Sequence, residues 1–147
     1  MNELGEDALR RARGLHDRAI VIDTHCDTTQ RLMSPEWDFS VRHEDGHVDI
    51  PRLSEGGVTA MFLAVYAPGN LERGAATPAA RAQIERVHET VRRLDRLVTL
   101  ARTANDIRRA KADGHIGILI GIEGGHLIED SLDVLREFHE RGAMYLT

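Results

Sequence analysis

A histidine and an aspartate stand two residues apart at the end of a short apolar run. Residues 19–23 are rich in β-branched side chains, which is typical of a buried parallel strand. Because alternate side chains of an extended segment share a face, His25 and Asp27 are expected to point one way and Cys26 the other. An imidazole with a carboxylate suits a divalent metal such as zinc. This pattern alone is weak, since loop histidines are usually solvated.

A carboxylate ends a second and longer apolar run. Glu123 follows residues 116–122 and precedes Gly124-Gly125-His126. A carboxylate at the end of a buried strand is costly unless it is paired or bound to metal. Glu123 is therefore a candidate metal ligand, and a salt-bridge partner at the rim of the sheet is the alternative. We interpret His126 as a supporting or structural residue rather than a ligand.

Two further groups resemble chemical sites but favour a structural interpretation. His47-Val48-Asp49 repeats the His-x-Asp spacing, but it precedes a turn that contains proline instead of ending a strand. Asp49 is therefore expected to accept hydrogen bonds from the N–H groups of that turn. Cys26 is expected to be a small buried hydrophobic residue, because alternation directs it away from His25.

The elements that must position these residues alternate between helix and strand patterns. The predicted helices cover residues 6–18, a long segment from Thr77 (N-cap) to Val98, a segment from Thr103 to Gly114, and one from Asp130 or Ser131 to Arg141. The predicted strands cover residues 19–23, 59–66, 116–122 and 143–147. Apolar strands separated by helices predict a parallel sheet covered by helices. It is either an open doubly wound sheet or a (β/α)8 barrel, and no glycine-rich dinucleotide motif follows the first strand.

Length and composition limit the classes of protein. A chain of 147 residues with 41% apolar residues is long enough for one domain with a hydrophobic core. The net charge of −5 argues against a nucleic-acid partner. The acidic first residues do not resemble a signal peptide, and no stretch is apolar enough to span a membrane. The single cysteine fits a reducing compartment. We expect a cytoplasmic α/β domain without a membrane segment.

Three stretches of the chain together resemble the membrane (renal) dipeptidase family, peptidase family M19. They are Val-Ile-Asp-Thr-His-Cys-Asp at 21–27, the segment from His-Val-Asp-Ile-Pro-Arg-Leu at 47–53 to Phe-Leu-Ala-Val-Tyr at 62–66, and Ile-Leu-Ile-Gly-Ile-Glu-Gly-Gly-His at 118–126 continuing to Tyr-Leu-Thr at 145–147. Their order and spacing agree with the family over nearly the whole chain. Glu-Gly-Gly-His followed by Arg-Gly-x-x-Tyr-Leu-Thr is the most specific part.

This resemblance implies a fold, a site and an activity. The fold is α/β, with residues 1–147 forming the N-terminal half, about four β/α units, of a single (β/α)8 TIM-type barrel domain. Two zinc ions lie at its mouth; His25 and Asp27 match ligands of one zinc, and Glu123 matches the carboxylate that bridges both. The implied activity is hydrolysis of dipeptides by a metal-bound hydroxide. Asp27 and Glu123 are the implied catalytic residues.

The resemblance also implies that part of the site lies outside these residues. Four further residues of the family's site have no counterpart in this sequence. They are two histidine ligands of the second zinc, a substrate-binding histidine and an acid/base aspartate. We therefore expect this chain alone to be inactive, and to form a homodimer or to need the missing C-terminal half-barrel. The alternatives are another amidohydrolase-like metal hydrolase, or a non-catalytic half-barrel that binds metal or a partner chain.

Overall fold

The computed structural model describes residues 5–147, which form a parallel sheet flanked by helices. The first four residues of the chain, on which part of the signal-peptide expectation rests, lie outside the described range. The helices are α1 (Glu6–Arg18), α2 (Thr29–Leu32), α3 (Ile50–Glu55), α4 (Ala76–Arg93), α5 (Ala104–Asp113) and α6 (Leu132–Glu140). The strands are β1 (Ile22–Cys26), β2 (Ala60–Tyr66), β3 (Val98–Leu100), β4 (Ile116–Glu123) and β5 (Ala143–Leu146).

Strand β4 is the centre of the sheet. It pairs with β2 through residues 117–123, and β2 pairs with β1 on its other side. Both β3 and β5 also pair with β4, β3 through residues 116–118 and β5 through residues 120–122. Because β2 occupies one edge of β4, these two short strands share the other edge, one after the other. All the pairings are parallel, as the sequence predicts.

Strand alternation gives the sheet two faces, and the buried apolar clusters on them differ in size. The larger cluster lies between one face and the helices, and it includes Met61, Leu63, Val65, Ile118, Ile120, Ile122, Ile84, Val87 and Phe138. The smaller cluster on the other face consists of Ala60, Ala101, Ile107 and Leu119, with Phe62 packed against it. The residues of the candidate site lie at the carboxyl-terminal ends of β1 and β4.

The first strand is displaced from its predicted position. It was expected at residues 19–23, but the paired strand is Ile22–Cys26. Val21, just before the strand, accepts through its carbonyl from the N–H groups of Thr59 and Ala60 at 2.8 and 3.2 Å, and its own N–H donates to the Thr59 hydroxyl at 3.2 Å. The displacement places His25 within the strand and Asp27 directly after it.

The long helix ends earlier than predicted, and a strand follows it. Leu94 leaves the helical conformation (φ −108°, ψ 32°), and Val98–Leu100 forms β3 instead of a last helical turn. Val91, Leu94 and Val98 keep spacings of three and four across this break, so the apolar pattern does not reveal it. The prediction of four strands was therefore wrong by one.

The start of α4 also differs from the prediction. Thr77 does not cap the helix, because its hydroxyl donates to the carbonyl of Leu127 at 2.8 Å. The N-cap residue is Ala75, which has no side-chain acceptor. Glu129 takes this role from a distant loop, where its Oε1 accepts from the N–H groups of Gly74 and Ala76, both at 3.0 Å. The predicted caps of Thr103 and Ser131 are confirmed.

Apolar side chains remain exposed in and next to β1 and in β5. Ile20 and Ile22 are 42% and 39% exposed, and Met144 and Leu146 are 40% and 37% exposed. None of the helices within residues 5–147 is long and apolar enough to cross a membrane.

Candidate metal centre

Three side chains named from the sequence converge at one edge of the sheet. His25 lies near the end of β1, Asp27 directly follows that strand, and Glu123 is the last residue of β4. The two strands are not adjacent, since β2 lies between them. The side chains nevertheless meet, because carboxyl-terminal ends of parallel strands lie at the same edge of a sheet.

The spacing of the three groups suits a metal ion. His25 Nε2 is 3.0 Å from Glu123 Oε2 and 3.6 Å from Asp27 Oδ1. One ligand atom of each residue lies within 4.8 Å of those of the other two. Ligands about 2.1 Å from a tetrahedral zinc stand roughly 3.4 Å apart, so the observed separations bracket the required value.

The Glu123 carboxylate carries an unsatisfied oxygen. Oε2 is buried and has no hydrogen-bond partner among the described residues. His25 Nε2 is close to it, but the contact does not have hydrogen-bond geometry. A buried carboxylate oxygen without a donor is costly, and a bound cation would satisfy it. The residues present therefore fit a divalent metal.

The side chain of Tyr145 contacts the ring of His25. Its hydroxyl lies 3.0 Å from His25 Nδ1 and 3.3 Å from the carbonyl oxygen of Thr24. Burial raises the pKa of Tyr145 above its ordinary value of 10.0, and the nearby carboxylates, Glu123 first, add to that rise. The sequence predicted no role for Tyr145 at the site. The available signal was Gly121, one of two glycines in a strand whose other apolar residues are isoleucine and leucine.

A cavity opens beside the candidate ligands. It measures about 390 Å³, and its lining includes His25, Asp27, Arg31, Trp37 and His47. Because two of the candidate ligands line it directly, a small molecule in this cavity would lie against the site. The cavity thus offers space for a substrate next to the three converging groups.

The remaining polar groups singled out from the sequence have structural contacts. His126 Nε2 is 2.8 Å from the carbonyl oxygen of Ala67, so it links the loop after β4 to the loop after β2. Gly124 adopts φ 102°, and a Cβ there would overlap the His126 ring. Asp49 accepts from the Arg52 N–H at 2.9 Å and is fully buried. Cys26 packs against the larger core cluster.

Comparison with known proteins decides which family this arrangement belongs to. The family model for membrane dipeptidase (peptidase family M19) matches residues 9–147. The chain belongs to this family. Human Dipeptidase 3 is 30% identical to it, over 96% of this chain and 29% of the human protein.

Solved structures agree with this membership of the M19 family. A dipeptidase described as a metallopeptidase of family M19 is 29% identical, with a TM-score of 0.77 over 86% of this chain and 41% of its own. A metallopeptidase from Rhodobacter sphaeroides, solved with a phosphinate mimic of the dipeptide L-Ala-D-Ala, is 26% identical. Its TM-score is also 0.77, over 87% of this chain and 44% of its own.

The chain corresponds to a part of these M19 relatives. It spans 20–29% of the length of the curated relatives that it matches. Its α/β fold with a parallel sheet matches the corresponding part of the TIM-barrel-like fold of the dipeptidase structures, as the sequence predicts. Closure into a full eight-stranded barrel stays a prediction.

Proposed function

We propose that the whole protein is a zinc-dependent dipeptidase, in which this chain contributes three metal ligands and one side of the substrate cavity. The convergence of His25, Asp27 and Glu123, with a buried and unsatisfied Glu123 oxygen, carries the proposal. Membership of the M19 family supplies the reaction class, because the relatives are named dipeptidases and metallopeptidases.

Each of the three residues has its own part in this proposal. Glu123 has two carboxylate oxygens, so it can bind one ion or bridge two. His25 directs Nε2 toward Glu123 and provides the nitrogen ligand. Asp27 is the most exposed of the three side chains, at 66%, and it faces the 390 Å³ cavity where substrate would approach. A bound zinc ion lowers the pKa of water toward neutrality and polarises the scissile carbonyl.

The substrate class follows from the size of the cavity and from the relatives. A volume of about 390 Å³ is at the small end for ligand sites, and it suits a molecule of dipeptide size. The Rhodobacter sphaeroides relative was solved with a mimic of L-Ala-D-Ala. We therefore propose dipeptides as substrates here too, and the tolerance of a D-residue is open to direct measurement.

Substitution of Glu123 tests the proposal. In the full-length protein, Glu123→Gln keeps the shape of the side chain but removes its charge. We expect zinc affinity to fall by at least about tenfold and kcat/KM for L-Ala-L-Ala and L-Ala-D-Ala by at least about 100-fold, because a direct ligand should matter more than an outer-shell partner. Zinc affinity is measured by competition with a chromophoric chelator, and turnover by release of free alanine.

An exposed glutamate provides the matched control. Glu140→Gln makes the same chemical change at the end of α6, away from the site, and should leave both quantities at the parental level. Parental hydrolysis and zinc content in Glu123→Gln would show that Glu123 does not bind the metal. Zinc binding without hydrolysis of any dipeptide by the parental protein would refute the dipeptidase assignment alone.

A further inference from the structure

The hydroxyl of Tyr145 lies between a hydrogen-bond acceptor and a histidine ring nitrogen. The carbonyl oxygen of Thr24, at 3.3 Å, can only accept a hydrogen bond. His25 Nδ1, at 3.0 Å, can donate or accept, depending on which ring nitrogen carries the proton. The single hydroxyl proton can therefore satisfy both contacts in one way only. Tyr145 donates to Thr24 and accepts from Nδ1–H of His25.

The other side of the imidazole agrees with this assignment. If Nε2 carried the proton instead, it would be expected to donate to Glu123 Oε2, which is only 3.0 Å away. That contact lacks hydrogen-bond geometry, and Oε2 is left without a donor among the described residues. With the ring proton on Nδ1, Nε2 has a lone pair that faces two carboxylates. This is the state that a metal ligand requires.

The position of the Tyr145 ring is built into the sheet. Tyr145 on β5 is in register with Gly121 on β4, and its ring lies where a side chain at residue 121 would stand. Any Cβ at that position would overlap the phenol ring. Phe62 on β2 packs against the ring, with centroids 5.0 Å apart and planes tilted by 36°. The glycine therefore gives the ring room to reach across β4 to His25.

We propose that Tyr145 is a positioning residue that selects the Nδ1–H tautomer of His25 and so presents Nε2 to the metal. The tautomer is a property of the metal-free protein and stands on the hydrogen bonds alone. Its effect on zinc binding rests on the proposed function. Such outer-shell partners typically change metal affinity by about 10–100-fold.

The two tyrosines of the chain give a matched test. Tyr145→Phe keeps the ring over Gly121 but removes the hydroxyl. Tyr66→Phe makes the same change at the end of β2, in register with Glu123, where the hydroxyl makes no hydrogen bond within residues 5–147. Both variants are prepared in the full-length protein with ¹⁵N-labelled histidine, without metal, at about pH 8, where an ordinary imidazole is neutral. Long-range ¹H–¹⁵N correlation spectra identify the tautomer, and His25→Asn assigns the signals of His25.

We expect an Nδ1–H signature for His25 in the parental protein and in Tyr66→Phe, and a shift toward Nε2–H in Tyr145→Phe. Zinc affinity should fall by about tenfold in Tyr145→Phe only. An Nε2–H signature in the parental protein, or an unchanged tautomer in Tyr145→Phe, would overturn the proposal. An Nδ1–H signature in a protein that does not bind zinc would support the tautomer and refute the proposed function.

Discussion

Glu129 is predicted to stabilise the longest helix of the protein from outside it. The 18-residue helix α4 begins at Ala76 without a side-chain cap of its own. Glu129 Oε1 accepts from the N–H groups of Gly74 and Ala76 at 3.0 Å and approaches that of Thr77 at 3.5 Å. Replacing Glu129 with alanine removes this acceptor together with a negative charge at the positive end of the helix dipole.

The size of the effect follows from these contacts. A hydrogen bond to a charged group contributes about 1.5–3 kcal/mol, and a charge at a helix N-terminus about 0.3–1 kcal/mol. Water can replace the exposed bond to Gly74, and the approach to Thr77 is too long to contribute much, so the partly buried bond to Ala76 dominates. We expect Glu129→Ala to lower the free energy of unfolding by about 2–3 kcal/mol. Glu129→Gln keeps an acceptor and should cost about 1 kcal/mol.

Urea denaturation followed by circular dichroism measures both changes. Glu140→Ala is the control, because Glu140 is exposed at the end of α6. It should change the free energy of unfolding by less than about 0.5 kcal/mol. The reasoning fails if Glu129→Ala costs no more than Glu140→Ala, or if the glutamine variant is as unstable as the alanine variant.

Two further predictions concern buried and partly exposed aspartates. Asp49 is fully buried and accepts from the Arg52 N–H and guanidinium at 2.9 and 2.8 Å, so Asp49→Ala should cost about 3–4 kcal/mol in urea denaturation, and a loss below about 1 kcal/mol would contradict this. The N–H of Ser40 and then Arg93 lower the pKa of Asp38 from 3.8 to about 2. Because the folded-state pKa is the lower one, this contribution to stability is present above about pH 4 and is lost as the pH falls toward 2. The Tm of the parental protein should therefore fall more steeply in that window than that of Asp38→Asn, and equal slopes would refute the assignment.

The sequence predicted the fold best where local signals and tertiary structure agree. The capping box at Thr103 and the glycine at 114 bound α5 as expected, because they act within one or two turns of the chain. Strand β3 was missed, since three residues are too few for a period and Val98 continues the helical spacing. The cap of α4 was missed for a different reason. Glu129 lies more than fifty residues from the helix start, and no local pattern reveals such a contact.

The sequence named three candidate ligands but not the sheet order that brings them together, and their role as metal ligands stays a prediction. His25, Asp27 and Glu123 were named from strand ends and alternation, and the structure brings all three together. Their convergence across an intervening strand depends on the order of the sheet, which periodicity does not contain. Tyr145 was missed because its role depends on its register with Gly121.

One edge of β4 pairs with two short strands, β3 and β5, and this has a consequence for local stability. The part that pairs with β3 lies at the start of the strand, and the part that pairs with β5 lies next to the candidate site. Separation of β5 would therefore release residues 120–122 on that edge while the pairings with β3 and β2 stay intact. Small cooperative units of this kind open at lower free energy than the sheet as a whole. We therefore expect amide hydrogen exchange beside Glu123 to proceed without global unfolding.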